Sequence, residues 1–147
     1  MIGPLLRRLL ATAPAPLPAE EARLALAALL VRVARSDGTY SASEIARIDR
    51  LLAARHGLTP LGAATLRVEA EALESEAPDT VRFTRALKDA VAHEDRIGLV
   101  ESLWSVALAD GARDDHEDRV MRLVVNLLGI SDRDSALARQ RVEAKAL

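Results

Sequence analysis

From residue 19 onward, apolar positions recur at spacings of three and four, and no stretch alternates apolar with polar residues over the length of a strand. Residues 19–36 carry Leu26, Leu30 and Val33 on one stripe, with Leu24, Ala27 and Val31 beside it. A helix apolar around so much of its circumference is expected at the centre of a fold. Asp37-Gly38 ends it, because glycine accepts the left-handed backbone of a helix terminus. Ser41-Ala42-Ser43-Glu44 opens the next helix as a capping box; Ile45, Ile48, Leu51 and Leu52 are its buried face, and Gly57 stops it. Thr59-Pro60 then supplies the cap and first residue of a helix to Glu76, on which Glu69, Glu71, Glu74 and Glu76 read as a solvated face. After the break at Ala77-Pro78-Asp79, a helix over 80–91 offers Val81, Phe83, Leu87 and Val91 to the core. A helix over 94–109 offers Ile97, Val100, Trp104 and Ala107, with Leu99, Leu103 and Val106 alongside, and Asp110-Gly111 ends it. The helix over 115–128 uses Val120, Met121, Val124 and Leu128; Gly129 ends it, and Ser131 with Asp134 forms the last cap. At the N-terminus, Leu5, Leu6, Leu9 and Leu10 form a short apolar helix, set apart by Pro14, Pro16 and Pro18. The pattern predicts an all-α fold, a compact bundle of about seven helices: residues 1–18 as an N-terminal helix and Pro-rich linker, 19–147 as the helical domain.

Sliding the chain over itself exposes a repeat. At an offset of 73, Leu26, Leu30, Val33, Asp37, Gly38, Glu44 and Ile48 fall on Leu99, Leu103, Val106, Asp110, Gly111, Glu117 and Met121. With a slip of one residue, Gly57-Leu58-Thr59 falls on Gly129-Ile130-Ser131. Each half reads as buried helix, Asp-Gly, Glu, amphipathic helix, Gly, apolar residue, hydroxyl cap: an internally duplicated helical hairpin. The short loop makes the helices of each pair antiparallel.

Composition narrows the chemistry. The 147 residues include no cysteine, which excludes disulfides, thiolate zinc sites, iron–sulfur clusters and a cysteine nucleophile. Lys+Arg 20 against Asp+Glu 22 gives a net charge of −2, which argues against a nucleic-acid binder. Aromatics are only 2 %, so Leu, Val, Ile and Ala must build the core, and Trp104 and Phe83 belong to it rather than to a stacking platform. The longest apolar run, Leu24–Val31, ends at Arg32, far short of the roughly 20 residues of a membrane span. Two arginines inside the N-terminal apolar run argue against a secretory signal. The expectation is a soluble, cytoplasmic protein, with peripheral membrane or partner docking through the leucine-rich N-terminal helix as the lesser use of that segment.

The repeated Asp-Gly…Glu is where chemistry could reside. A helix end exposes orphan carbonyls and the negative pole of the macrodipole. Asp37 and Asp110 stand at such ends, and Glu44 and Glu117 lie in the first turn of the following helix. Carboxylates and carbonyls without sulfur suit a hard divalent cation, Ca²⁺ or Mg²⁺, with Ser41, Ser43, Asp114, Asp115 or His116 as additional ligands. The spacing is not that of an EF-hand. The architectural reading stands beside this one: Asp-Gly is an ordinary helix stop, and Ser41-x-x-Glu44 and Asp114-x-x-Glu117 both place Glu where it closes a capping box. His56 sits at a helix end, where a partly positive imidazole suits the dipole, and His93 lies in a polar junction. With no Gly-x-Ser-x-Gly, phosphate-binding glycine loop or His-Glu-x-x-His, and no marked substrate pocket, catalytic residues are expected to be none and the protein a non-enzyme.

Val33-Ala34-Arg35-Ser36-Asp37-Gly38…Glu44, and Val106-Ala107-Leu108-Ala109-Asp110-Gly111…Glu117 ending in Leu127-Leu128-Gly129-Ile130-Ser131, resemble the TerB-like family, which includes tellurite-resistance proteins and the N-terminal domain of the membrane-tethered co-chaperone DjlA. The resemblance spans residues 20–135. It implies a compact helical domain with internal pseudo-symmetry, a bacterial role in tellurite or other stress response, and a divalent-metal site at Asp37, Glu44, Asp110 and Glu117. No J-domain His-Pro-Asp is present, so the co-chaperone role does not carry over. The competing expectation is a helical protein-interaction module whose acidic residues are caps.

Overall fold

A computed structural model describes residue 6 and residues 19–36, 38–76, 80–109 and 115–145. Among the described residues, seven helices with defined bounds run in chain order: α1 (Ala19–Arg35), α2 (Ala42–His56), α3 (Pro60–Glu76), α4 (Thr80–Ala90), α5 (His93–Ala107), α6 (Asp115–Leu127) and α7 (Asp132–Lys145). No strand occurs among the described residues, as the period of the apolar pattern requires. The side chains of Phe83, His93, His116 and Glu117 fall outside the description, as do the prolines near the N-terminus; Leu6 is half-buried against the core.

α1 is the centre. Every residue from Leu24 to Val31 is buried, together with Val33 and Ala34, and the helix packs against α2, α3, α4, α5 and α6. Its four buried alanines, Ala25, Ala27, Ala28 and Ala34, present little more than backbone, which lets neighbours close on it from several sides. α5 contributes Leu99, Val100, Leu103, Trp104, Val106 and Ala107 to the same core. Trp104 is anchored there, its indole N–H donating to Ser135 Oγ at 3.0 Å. Each Leu or Val taken out of water in this way stabilises the fold by about 1.5–3 kcal/mol before the entropy of ordering is subtracted.

The duplication is larger in space than in the sequence pattern. α1 packs on α3 as α5 packs on α7; α2 lies on α3 as α6 lies on α7; α2 reaches α5 as α6 reaches α1; and α1 and α5 pack on each other. The repeated unit is therefore three helices, α1–α2–α3 and α5–α6–α7, with α4 as the connector packed on α1 and α6. The shared turns obey one geometry. Gly57 (φ 63°) and Gly129 (φ 77°) both adopt the left-handed conformation. The next amide donates back into the helix in each case, Leu58 to the Ala53 carbonyl (3.0 Å) and Ile130 to the Val125 carbonyl (3.1 Å). Thr59 Oγ1 then accepts from the Gly62 amide, and Ser131 Oγ from the Asp134 amide, capping α3 and α7.

Candidate functional site

The first acidic bend joins α1 to α2. Gly38 takes φ 81°, and its amide donates to the Arg35 carbonyl at 3.0 Å, closing the end of α1. Ser41 caps α2: its Oγ accepts from the Glu44 amide (3.1 Å), while the Ser41 amide donates to Glu44 Oε1 (2.9 Å). The capping box expected from Ser41-x-x-Glu44 is thus formed. Glu44 is also 1 % exposed, so its carboxylate is buried where a cap normally meets water. A buried carboxylate is costly unless its oxygens find partners, and here backbone geometry supplies one of them.

Asp37 and Asp110 lie outside the described residues, as does the side chain of Glu117, so of the four acids singled out by the sequence only Glu44 is placed with its contacts. Among the described residues no group of three or more His, Cys, Asp and Glu gathers as a metal centre. Glu44 fits a hard cation in kind, as a buried oxygen donor.

The packing of α2 on α5 bears on whether the bends are neighbours. The Arg47 guanidinium donates to the Ser105 carbonyl (3.2 Å) and to Ser105 Oγ (2.9 Å). Further along α2, Arg55 lies beside Gly98, nearer the start of α5. The two helices are therefore antiparallel, and the beginning of α2 meets the end of α5. With a rise of about 1.5 Å per residue, Glu44 and Leu108 each stand about 4.5 Å beyond the Arg47–Ser105 contact, in the same direction. The bend carrying Glu44 thus shares one end of the bundle with the end of α5, which the sequence follows with Asp110.

A polar network missed by the sequence reading braces this end. The phenol O–H of Tyr40 donates to Glu71 Oε2 (2.6 Å). Arg67 donates to Glu71 Oε2 (3.0 Å) and to Asp49 Oδ1 (2.6 Å). The Arg35 guanidinium lies 4.9 Å over the Tyr40 ring and donates to Glu74 Oε2 (2.7 Å), with Arg32 reaching the Glu74 carbonyl (3.1 Å). Glu71 and Glu74 are accordingly half-buried ion-pair partners, not part of a solvated face. Only the i,i+4 pair Arg67–Glu71 was legible beforehand. Burial, and then the hydrogen bond to Glu71, push the Tyr40 phenol well above its ordinary value, so it remains a donor. His56 also departs from expectation. Burial first, and then Arg23 and Arg55, hold its imidazole below the usual histidine range, so desolvation outweighs the helix end and the ring is neutral.

Among the described residues, no helix is long and apolar enough to cross a membrane. No curated protein and no solved structure matches the chain. The family model described as tellurite resistance protein TerB matches residues 23–140, a stretch running from α1 into α7 that takes in both acidic bends and both copies of the three-helix unit. The chain belongs to the TerB family.

Proposed function

We propose that this TerB-family protein binds a divalent cation at the end of the bundle that holds the Glu44 bend and the end of α5, as part of a cytoplasmic response to tellurite or related metal stress. Asp37, Glu44, Asp110 and Glu117 would hold the ion, Ca²⁺ or Mg²⁺ by the hardness of the donors. The observation that supports the reading is the antiparallel register of α2 on α5, which puts the Glu44 bend beside the end of α5, the helix that Asp110-Gly111 follows in the sequence. Carbonyls at the C-terminal ends of α1 and α5 favour positive charge in the same place.

A second reading, non-enzymatic partner docking with the acids as caps, draws support from two observations. Glu44 already closes a capping box, and α3 leaves Leu61 78 % and Val68 56 % exposed on its outer side.

Calorimetric titration of the full chain with Ca²⁺, Mg²⁺, Mn²⁺ and Zn²⁺ separates the two. Cation binding predicts saturable heat with one of the ions and a higher melting temperature in its presence. It also predicts that Glu44→Gln and Glu117→Gln together abolish the heat, while the fold survives because glutamine also serves in a capping box. No heat and a metal-independent melting temperature would leave the docking reading.

A further inference from the structure

The clasp around Tyr40 belongs to one repeat only. At the offset of 73, Tyr40 and Asp49 fall on Arg113 and Arg122, so the second copy carries neither the phenol nor the acid. With the one-residue slip, Arg67 and Glu71 fall on Arg139 and Glu143, which keep their i,i+4 ion pair at 3.1 Å. Arg139 has turned instead to the face of Trp104, 5.5 Å from the ring centroid. Yet α5, α6 and α7 pack on one another as α1, α2 and α3 do. The three-helix unit is thus built without the phenol and the acid, and the clasp is surplus to its architecture.

What the clasp adds is a hold on the bend. Tyr40 is the bend residue on which three helices converge: α1 through Arg35 over the ring, α3 through Glu71 at the hydroxyl, and α2 through Asp49, which fixes Arg67 against the same Glu71. Between Gly38 and the Ser41–Glu44 capping box, Tyr40 ties the intervening backbone to α3 through Glu71. A bend fixed in advance loses less conformational freedom when a ligand orders it, and binds more tightly for that reason.

We infer that Tyr40 is a positioning residue: through Glu71 and Arg67 it clasps the first acidic bend to α3 and fixes the backbone over residues 38–44 in the conformation from which the bend binds a cation. The cation part rests on the function proposed above; the clasping part does not.

The test uses the full chain, Ca²⁺ and Mg²⁺ as probes, and the variants Tyr40→Phe and Glu71→Gln. Amide exchange over residues 38–41 reads the bend, and calorimetry reads the cation. Loss of one hydrogen bond of this kind predicts exchange over 38–41 about tenfold faster and cation affinity about tenfold weaker in Tyr40→Phe, with the helices protected as before. Glu71→Gln is expected to show the same signs. Exchange over 38–41 at its original rate in both variants overturns the inference, whatever the cation does. Faster exchange with unchanged cation affinity also overturns it, because the bend would be clasped to no purpose. If the unsubstituted chain binds no cation, the proposed function fails; the clasp then stands or falls on the exchange rates alone.

Discussion

At the scale of single residues, burial decides chemistry that residue type leaves open. Glu44 and Glu71 are the same side chain in the same chain, one caught in a helix cap and one between a phenol and a guanidinium. His56 shows the energetic consequence most directly. The unfolded imidazole protonates near 6.5, whereas in the fold burial, Arg23 and Arg55 hold it lower. As pH falls through 6.5 the unfolded chain takes up a proton that the folded chain refuses. Stability therefore declines from that point down to the folded-state value and levels off below it. Urea midpoints measured at about pH 7.5 and about pH 5.5 should differ in that direction, and His56→Gln should flatten the difference. An equal pH dependence in the substituted chain would remove His56 as its source. The helix-end position of His56 was legible in the sequence, but its desolvation was not, because that depends on what α1 brings against it.

At the scale of elements, the turns are determined locally and repeat faithfully. Gly57 and Gly129 both end a helix in the left-handed conformation and lead into an apolar residue and a hydroxyl cap. A Cβ at Gly57 would meet nothing within 4 Å, and one at Gly129 would meet only ordinary contacts, the nearest Lys88 Cε at 3.6 Å, with Arg96 Nη1 and Lys88 Nζ at 3.8 Å. The cost of alanine at either place is then backbone strain alone, about 1–2 kcal/mol. Gly57→Ala and Gly129→Ala should lower the chemical-denaturation midpoint by similar amounts. A much larger loss at one of them would mean that the two turns are not equivalent. Within elements, the apolar faces were legible to within a position or two. Ile48, Leu52, Met121, Val124 and Leu128 are buried as the period requires. Ile45, Leu51, Val120 and Ile97 are only half-buried, because a helix presents a broad stripe and its neighbours choose which edge to cover. α3 departs from its acidic-face reading: two of its four glutamates turn back to arginines, while Ala63, Ala70 and Leu73 face the core and Leu61 and Val68 face out.

At the scale of the whole molecule, one continuous core runs through both copies of the three-helix unit, with α1 in contact with nearly every other helix. The copies should therefore unfold together. The sequence provides a reporter in each: Tyr40 in the first copy and Trp104 in the second, each the single residue of its type. Thermal or urea transitions read from the two chromophores should coincide. Leu30→Ala, at a fully buried position of α1, should lower both midpoints together at a cost of about 3–5 kcal/mol. Separate transitions would show that the copies are independent folding units.

What the sequence determined by itself is what short stretches of chain can encode: the helices, the caps at Ser41, Thr59 and Ser131, the glycine stops at Gly57 and Gly129, an apolar α1 suited to the centre, and the doubling of Asp-Gly…Glu. These follow from periodicity and from backbone preferences that act over a few residues. The tertiary structure alone decided the rest. It made α3 and α7 part of the repeat, drew Glu71, Glu74 and Arg67 into a network with Tyr40, and ran α2 antiparallel to α5. Those outcomes depend on the rotation and register of one helix against another. Both are set by how many side chains interdigitate across long sequence separations, which no local spacing records.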